Sequence, residues 1–178
     1  MKNILIITSI ALSNLVFSQS APKKTKSIEI GMQVSRLQND FGIGIQAATP
    51  YFANESIAFR ARANVYWLDH IENGSSTWNP YMSYNFGIIG SQMLIDDRIR
   101  LYGEGGLLMV APSEKFSTQT IHFGGYGLFG FEFLMKNSKS SYFIEIGGGG
   151  TGAKADKLPN SNIYSNGFIT NAGYRVHF

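Results

Sequence analysis

The sequence predicts an all-β fold, an eight-stranded antiparallel transmembrane up-and-down β-barrel. Apolar and polar residues alternate with a period of two through eight segments of the chain. One face of each segment is apolar, whereas the charged side chains fall on the opposite face. Turn-forming residues such as Asn73-Gly74 and Pro159-Asn160 separate the segments, and no convincing helical period follows Gln19.

The residues before the predicted barrel divide into two parts. Residues 1–18 start with Lys2 and continue with a short apolar stretch from Ile4 to Phe17, which is typical of a secretory signal peptide. This stretch is too short to cross a bilayer as a stable helix. Residues 19–26 form a short basic segment, and residues 27–178 form the barrel. Because the chain contains no cysteine, we expect neither disulfides nor thiolate metal sites.

The eight strands are predicted to follow one another in antiparallel order. Strands of about nine to eleven residues are long enough to cross a bilayer when they are tilted. The predicted strands cover residues 27–35, 41–49, 57–68, 80–94, 98–110, 120–134, 141–151 and 166–178.

The distribution of charge separates a membrane barrel from two water-soluble alternatives, a β-sandwich and a small ligand-binding barrel such as a lipocalin. In both soluble folds the outward face carries Lys and Glu freely. On a lipid-facing surface, an Arg or Lys at the midplane costs about 2–4 kcal/mol. The predicted apolar faces, exemplified by Phe59 and Trp67 or by Phe129 and Phe131, carry no charged residue. Barrel closure also removes unpaired strand edges, which lipid does not tolerate.

Aromatic residues and link lengths predict how the barrel lies in the membrane. An interfacial girdle is expected from Phe41, Trp67, Trp78 and Phe168 at one rim and from Tyr51, Phe52, Tyr142 and Phe178 at the other. With both termini in the periplasm, the outer links include the long segments Asp69–Thr77, Pro112–Gln119 and Lys154–Ser165. The periplasmic links Ile95–Asp97 and Lys136–Ser140 are tighter, and Pro50–Ser56 is intermediate. This asymmetry is expected of an integral protein of the cell outer membrane, and it predicts the orientation with both termini in the periplasm.

Alternation sends eight charged residues into the lumen, with equal numbers of each sign. They are Glu29, Arg60, Arg62, Arg100, Glu104, Glu132, Glu145 and Arg175. The interior of an eight-stranded barrel is just wide enough for side chains to fill it, and unpaired charges there are very costly. We therefore expect a hydrogen-bonded ion network that crosses and closes the lumen. Tyr66, Tyr102 and Asn171 are expected to supply its remaining hydrogen bonds.

Two glycine-rich motifs match nucleotide-binding patterns but lack the required context. GYGLFG at residues 125–130 has the spacing G-x-G-x-x-G, yet FEFLM continues a strand where a pyrophosphate-binding helix should open. Alternation places Gly125 and Gly127 on the lipid face and Gly130 in the lumen. In GGGGTGAK at residues 147–154, an alanine separates the last glycine from the lysine, which departs from a P-loop. We interpret the first as a bent strand and the second as a strand–loop hinge.

The C-terminal sequence NAGYRVHF alternates to its last residue, with Tyr174, Val176 and Phe178 on one face. It resembles the terminal strand signal of bacterial outer-membrane barrels, which the barrel assembly machinery recognises. The mature chain is similar to small barrels of the OmpX and OmpA type, and its sequence is also similar in character to the porin-like barrel domains of Bacteroidetes. This resemblance implies the fold and the location. OmpA-type proteins add a peptidoglycan-binding domain, so the end of this chain at Phe178 does not imply wall anchoring.

The histidines are the candidate residues for catalysis. His70 could converge with Asp69 and with Ser75 or Ser76, and His122 could converge with Ser117, as in lipid A-modifying barrels. Neither group has the His-x-Ser strand spacing of the deacylases. His177 lies near the predicted periplasmic rim, and three scattered histidines do not suggest a metal site. We predict no catalytic, cofactor or metal site.

These observations predict a non-enzymatic barrel with a plugged polar lumen. It would be a structural or interaction protein that acts through its surface loops, or a subunit of a larger envelope assembly. A lipid A-modifying enzyme and a small-solute pore are the alternatives. The expected partners are outer-membrane lipid and lipopolysaccharide, a surface ligand or envelope complex, and the assembly machinery during biogenesis. The excess of Lys and Arg over Asp and Glu, 15 to 12, is too mild to indicate a nucleic-acid partner.

Overall fold

The computed structural model describes residues 27–72, 75–96, 98–135, 139–159 and 163–178. Eight strands form a closed antiparallel barrel in which each strand pairs with its neighbours in the sequence and β1 pairs with β8. The strands are β1 Glu29–Leu37, β2 Asp40–Ala48, β3 Ile57–Glu72, β4 Ser75–Ile95, β5 Ile99–Ala111, β6 His122–Leu134, β7 Ser140–Gly150 and β8 Gly167–His177. The predicted fold class is therefore confirmed. The predicted signal peptide and basic segment lie outside the described residues, and the described residues form no helix capable of crossing a membrane.

The two faces of the barrel follow the alternation of the sequence. Large apolar side chains such as Met32, Ile45 and Phe123 are exposed on the outer wall, and polar side chains are buried in the lumen. An apolar surface that encircles the molecule is far larger than the patches that soluble monomers expose. The structure adds two charged residues to the outward face, because β1 and β3 end two and four residues later than predicted. Arg36 ends the outward row of β1, and Asp69 extends that of β3.

The barrel has two different ends. The terminal end holds the start of β1, the end of β8 and the turns after β2, β4 and β6. The loop end holds a short β1–β2 turn, the β3–β4 hairpin and two long loops, residues 112–121 and 151–166. The two loops fall where Pro112–Gln119 and Lys154–Ser165 predicted them.

The predicted outer loop Asp69–Thr77 was wrong. β3 continues to Glu72 and β4 begins at Ser75, and their pairing extends to these two residues. The pairing of β2 with β3 stops at Trp67, and the pairing of β4 with β5 starts at Met82. Residues 68–72 and 75–81 therefore form a two-stranded ribbon, here called the β3–β4 ribbon, that rises above the rest of the barrel. The strand pattern continues through the segment that we had assigned to a loop, because every second residue there, Trp67, Asp69 and Ile71, lies on the outward face.

Tyr51 also departs from its predicted position. We expected it in the aromatic girdle, but it is buried at the terminal end, with its ring 4.6 Å from the guanidinium carbon of Arg100. The neighbouring Phe52 and the other predicted members of that rim, Tyr142 and Phe178, are exposed. At the loop end Phe41 and Trp67 stack with their ring centroids 6.2 Å apart.

Candidate functional site

The eight lumen charges lie in one connected network, here called the ion network. Successive ion pairs join Arg60 to Glu29, Glu29 to Arg100, Arg100 to Glu132, Glu132 to Arg175, Arg175 to Glu145, Glu145 to Arg62, Arg62 to Glu104, and Glu104 back to Arg60. Cations and anions alternate through this closed circuit, so no two like charges are successive members. Six strands contribute these residues, and each side chain is at most 3% exposed.

Glu145 and Glu104 are the most heavily bonded anions of the ion network. Glu145 accepts hydrogen bonds from Arg62 at 2.9 Å, from Arg175 at 2.7 Å and from Arg60 at 3.3 Å. Glu104 accepts from Arg60 at 2.9 Å and from Arg62 at 2.5 Å. Each of these guanidinium groups contacts at least two carboxylates, which suits the planar fork of arginine.

Tyrosine, asparagine and serine side chains complete the hydrogen bonding of the carboxylates. Tyr102 donates to Glu145 at 2.5 Å, and Asn171 donates to the other oxygen of Glu145 at 2.9 Å, in the positions that the sequence predicted. Tyr126 donates to Glu104 at 2.6 Å and Ser141 to Glu132 at 2.5 Å, and the prediction missed both. Their parity in β6 and β7 places them in the lumen, which is the signal that could have identified them.

Contrary to the prediction, the Tyr66 hydroxyl does not bond to the ion network. Its hydroxyl lies 2.5 Å from the Ser35 hydroxyl, in a separate layer of neutral polar groups toward the loop end. In this layer Gln33 donates to Asn64 at 2.7 Å, and Ser35 donates to Asn171 at 2.5 Å. Asn171 therefore links the neutral layer to the ion network. The error arises because alternation assigns a side chain to the lumen but does not give its height in the barrel.

His177 is a further neighbour of the ion network that the prediction did not include. Its Nδ1 lies 3.6 Å from Glu29, and its Nε2 lies 3.4 Å from Glu132 and 3.0 Å from the Ser141 hydroxyl. Three potential metal-ligating groups thus meet at the terminal end. Both carboxylates already bind Arg100, at 2.9 and 3.0 Å, so a metal ion there would have to lie close to a guanidinium group.

Two inward glycines make room for the tyrosines of the ion network. A Cβ at Gly130 would lie 2.4 Å from the Tyr102 ring, and one at Gly87 would lie 2.2 Å from the Tyr126 hydroxyl. Gly130 is the third glycine of the GYGLFG motif, and Gly125 and Gly127 are exposed on the outer wall, as alternation predicted. The whole motif lies within β6. The glycines of the second motif, Gly147 to Gly150, end β7 before the long loop.

The loop end of the lumen is closed by an apolar lid that the sequence pattern did not reveal. Phe116, from the β5–β6 loop, and Tyr164, from the β7–β8 loop, pack against each other with their ring centroids 5.1 Å apart. Both contact the Tyr81 ring of β4, whose centroid lies 6.2 Å from that of Phe116 and 5.0 Å from that of Tyr164. All three side chains are buried. Loop residues have no period that reports burial, so this lid could be found only in three dimensions.

The two lid loops are fastened to each other. The hydroxyl and backbone N–H of Thr118 both donate to the Asp156 carboxylate, and the N–H bond is 2.9 Å long. These bonds lower the pKa of Asp156 to about 2. Lys157 N donates to Phe116 O at 3.1 Å, which ties the loops a second time. Burial raises the pKa of the Tyr164 hydroxyl, so this group stays neutral in the lid.

Little space remains between the ion network and the lid. A cavity of about 10 Å³ lies among Gln33, Arg62, Asn64, Tyr66 and Leu128. This volume holds about one water molecule. The described part of the lumen is therefore packed with charged side chains near the terminal end, with amides at its centre and with apolar rings at the loop end.

The residues considered for catalysis make the following contacts in the described part of the chain. On the β3–β4 ribbon, Ser76 donates directly to Asp69 at 2.6 Å, and His70 Nε2 lies 3.3 Å from Asn79 Nδ2. His122 faces the lumen on β6, and Ser117 is buried in the lid, where its hydroxyl accepts from the backbone N–H of Gln119 at 3.3 Å.

Two of the predicted assembly residues, Tyr174 and Val176, lie on the outward face of β8, and the third, Phe178, follows the strand. Tyr174 donates to Ser140 at 2.5 Å, and Val176 pairs with Ile30 of β1. Phe178 is exposed, and its backbone N–H donates to Ile28 O at 2.9 Å. Residues near the C-terminus thus help to close the barrel against the start of the described chain.

Comparison with solved structures shows which proteins share this architecture. The N-terminal β-barrel domain of OprF from Pseudomonas aeruginosa matches with a TM-score of 0.58 and 12% identity, over 88% of this chain and 100% of that domain. The outer membrane protein OprG from the same organism matches with a TM-score of 0.51 and 11% identity, over 87% and 97% of the two chains. The chain has the fold of small outer-membrane barrels. The resemblance seen in the sequence is thus confirmed for the fold. No protein-family model and no curated protein sequence matches the chain.

Proposed function

We propose that the protein is an integral, non-enzymatic outer-membrane barrel with a closed lumen, and that it acts as an interaction protein through its β3–β4 ribbon. The outer wall is apolar apart from Arg36 and Asp69 near the loop end, and this wall and the barrel fold support the membrane location. The predicted orientation, with both termini in the periplasm, places the ribbon and the lid outside the cell. In this orientation the long loops face outward, as is usual for such barrels.

The unpaired edges of the β3–β4 ribbon carry the proposal. Residues 68–72 and 75–81 pair with each other, and neither segment pairs with β2 or β5. Free strand edges offer N–H and C=O groups to an added strand. Ile71 and Trp78 on the outward face of the ribbon are 75% and 55% exposed, above the Phe41–Trp67 stack. Exposed apolar side chains beside a free edge suit an extended protein segment as partner.

A photo-crosslinking experiment in intact cells tests this function. A photoreactive phenylalanine analogue at Trp78 is expected to crosslink a protein partner, and the same analogue at Phe86 on the outer wall is expected to crosslink lipid. Ile71→Pro should abolish the protein adduct, because proline removes an edge donor and distorts the ribbon. Adducts of equal yield from both positions, or adducts unaffected by Ile71→Pro, would contradict the proposal.

The alternative functions have separate tests. We expect the lipid A mass spectrum to be identical with and without the gene, because Ser76 is bonded directly to Asp69 and Ser117 is buried in the lid. A lost or gained acyl chain would instead support an enzyme. The closed lumen argues against a pore, and conductance measurements test this point, as described below.

A further inference from the structure

The outer wall carries an apolar groove, and the cation Arg36 lies one outward row of side chains beyond its lining, toward the loop end. The groove has a volume of about 970 Å³ and crosses the strands on the β7–β8–β1–β2–β3 side of the barrel, where Val34, Ile43, Val65 and Ala172 contribute to its lining. This volume lies within the range of roughly 300–1,000 Å³ for small-ligand sites. Val34, Ile43 and Ala172 occupy neighbouring positions of one outward row.

Arg36 lies in the next outward row toward the loop end, two residues beyond Val34 on β1. It pairs with Phe41 on one side and Thr170 on the other, so its side chain lies at the level of the aromatic rim. Its Nε donates to Gln38 O at 2.9 Å, which fixes the guanidinium near the β1–β2 turn. Among the described residues, none bonds its two terminal nitrogens.

Arg36 is the one cation on the outward face of the strands in the described parts of the chain. Asp69, the one carboxylate on that face among the residues that the structure describes, lies two strands away and accepts a hydrogen bond from Ser76. A cation at the lipid interface with free donors, directly beyond an uncharged groove, is complementary to an amphiphile with an anionic head and an apolar tail. Guanidinium binds phosphate through two parallel hydrogen bonds.

We propose that Arg36 and this groove bind an anionic, phosphate-bearing membrane lipid, with the head group at Arg36 and an acyl chain along Val34 and Ala172. The Thr170 hydroxyl, beside Arg36 across the β1–β8 pair, is placed to supply a further donor. The inference rests on the proposed membrane location and is independent of the partner proposed for the β3–β4 ribbon.

Lipid titration of the purified, folded protein in neutral detergent tests the site. Native mass spectrometry counts the bound molecules of dioleoylphosphatidylglycerol, dioleoylphosphatidylcholine and inorganic phosphate in parallel samples. We expect the anionic lipid to bind about tenfold more tightly than the zwitterionic lipid, which corresponds to one charge-assisted contact. Inorganic phosphate should not displace it, because phosphate lacks the acyl chain.

Matched variants assign the binding to the two parts of the site. Arg36→Gln should reduce the preference for the anionic lipid to about parity, and Arg36→Lys should retain it. Arg98→Gln removes a cation at the exposed β4–β5 turn of the other end and should leave the preference unchanged. Ala172→Phe fills the groove and should weaken the binding of both lipids. Heat-modifiable migration in electrophoresis reports that each variant is folded.

Three results would overturn the lipid site: an unchanged preference in Arg36→Gln, displacement of the lipid by inorganic phosphate, or unchanged binding of both lipids in Ala172→Phe. If Arg36→Gln does not fold, the neutral variant Arg36→Thr is titrated in its place: a lost preference supports the site, and an unchanged preference overturns it. Loss of crosslinking at Trp78 would refute the ribbon function without affecting these titrations, so the two proposals fail separately.

Discussion

Glu104→Ala is the substitution that most directly tests whether the ion network holds the barrel closed. The Glu104 carboxylate accepts three hydrogen bonds, from Arg60, Arg62 and Tyr126. Charge-assisted bonds contribute about 1.5–3 kcal/mol each, which would give an upper limit of roughly 4.5–9 kcal/mol for three such bonds. The true loss should be smaller, because both arginines keep Glu145 as a partner. We expect a loss of about 3–5 kcal/mol, the usual effect of removing one member of a buried ion pair.

Urea unfolding of the barrel in lipid vesicles, followed by tryptophan fluorescence, measures this loss. Glu114→Ala is the matched control, because Glu114 is exposed in the β5–β6 loop and uses its backbone oxygen to bind Lys157. The control should change the free energy of unfolding by less than about 0.5 kcal/mol. A loss below about 1 kcal/mol for Glu104→Ala would refute the reasoning and indicate a hydrated lumen in which water replaces the carboxylate.

A double-mutant cycle measures the interaction free energy between Glu104 and Arg62 separately from the effect of removing each buried side chain. Arg62 loses one of its two carboxylates when Glu104 is removed, so Arg62→Ala in the same chain should cost less than it does in the wild type. The coupling free energy between adjacent charges of a network is expected at about 0.5–3 kcal/mol. Additive losses would show that the two residues act independently.

Four further results are expected. Planar-bilayer recordings of the purified protein should show no stable ion-conducting steps, because the ion network and the lid fill the lumen; regular steps would refute a closed barrel. Deletion of Phe178 should lower the amount of heat-modifiable protein in the outer membrane, and normal levels would show that the terminal residue is dispensable for assembly. Ala53→Gly should stabilise the fold by roughly 1 kcal/mol in urea unfolding, because Ala53 has a φ of 49°, whereas Ala58→Gly within β3 should destabilise it. The Thr118 amide signal in NMR should titrate with the pKa of Asp156, about 2. The Thr118–Asp156 bonds contribute fully above pH 3.8, the ordinary pKa, and are lost as the pH falls through 2, so a midpoint near 4 would contradict them.

Strand alternation predicted the barrel because lipid and lumen impose opposite requirements on successive residues. The same alternation sent Glu29, Arg60 and Arg175 into the lumen, where the ion network joins them. It also placed Gly130 inside and Gly127 outside, and the strand that continues through FEFLM separated the GYGLFG segment from a dinucleotide-binding motif. Local pattern is informative here because every residue of a membrane-crossing strand has one of two environments.

Height in the barrel and loop conformation could not be obtained in this way. Tyr66 was assigned to the ion network and lies in the neutral layer above it, because parity carries no information on the position along the barrel axis. Phe116 and Tyr164 belong to aperiodic loops, and their burial depends on contacts between segments about 48 residues apart in the sequence. Asp69–Thr77 was mistaken for a loop because Asn73-Gly74 and the serines indicate a turn, whereas the flanking residues continue to pair as strands.

The ion network also bears on how the sequence specifies a single register. A slip of β3 by one residue would turn Arg60 and Arg62 toward lipid, at roughly 2–4 kcal/mol for each residue near the midplane. The same slip would leave Glu104 without either of its arginines. If the lumen were apolar, both faces of each strand would be apolar and a slip would exchange equivalent surfaces. Alternating charges therefore make the correct pairing of strands distinct from every pairing shifted by one residue, and they do so even where a buried ion pair adds no net stability over an apolar core.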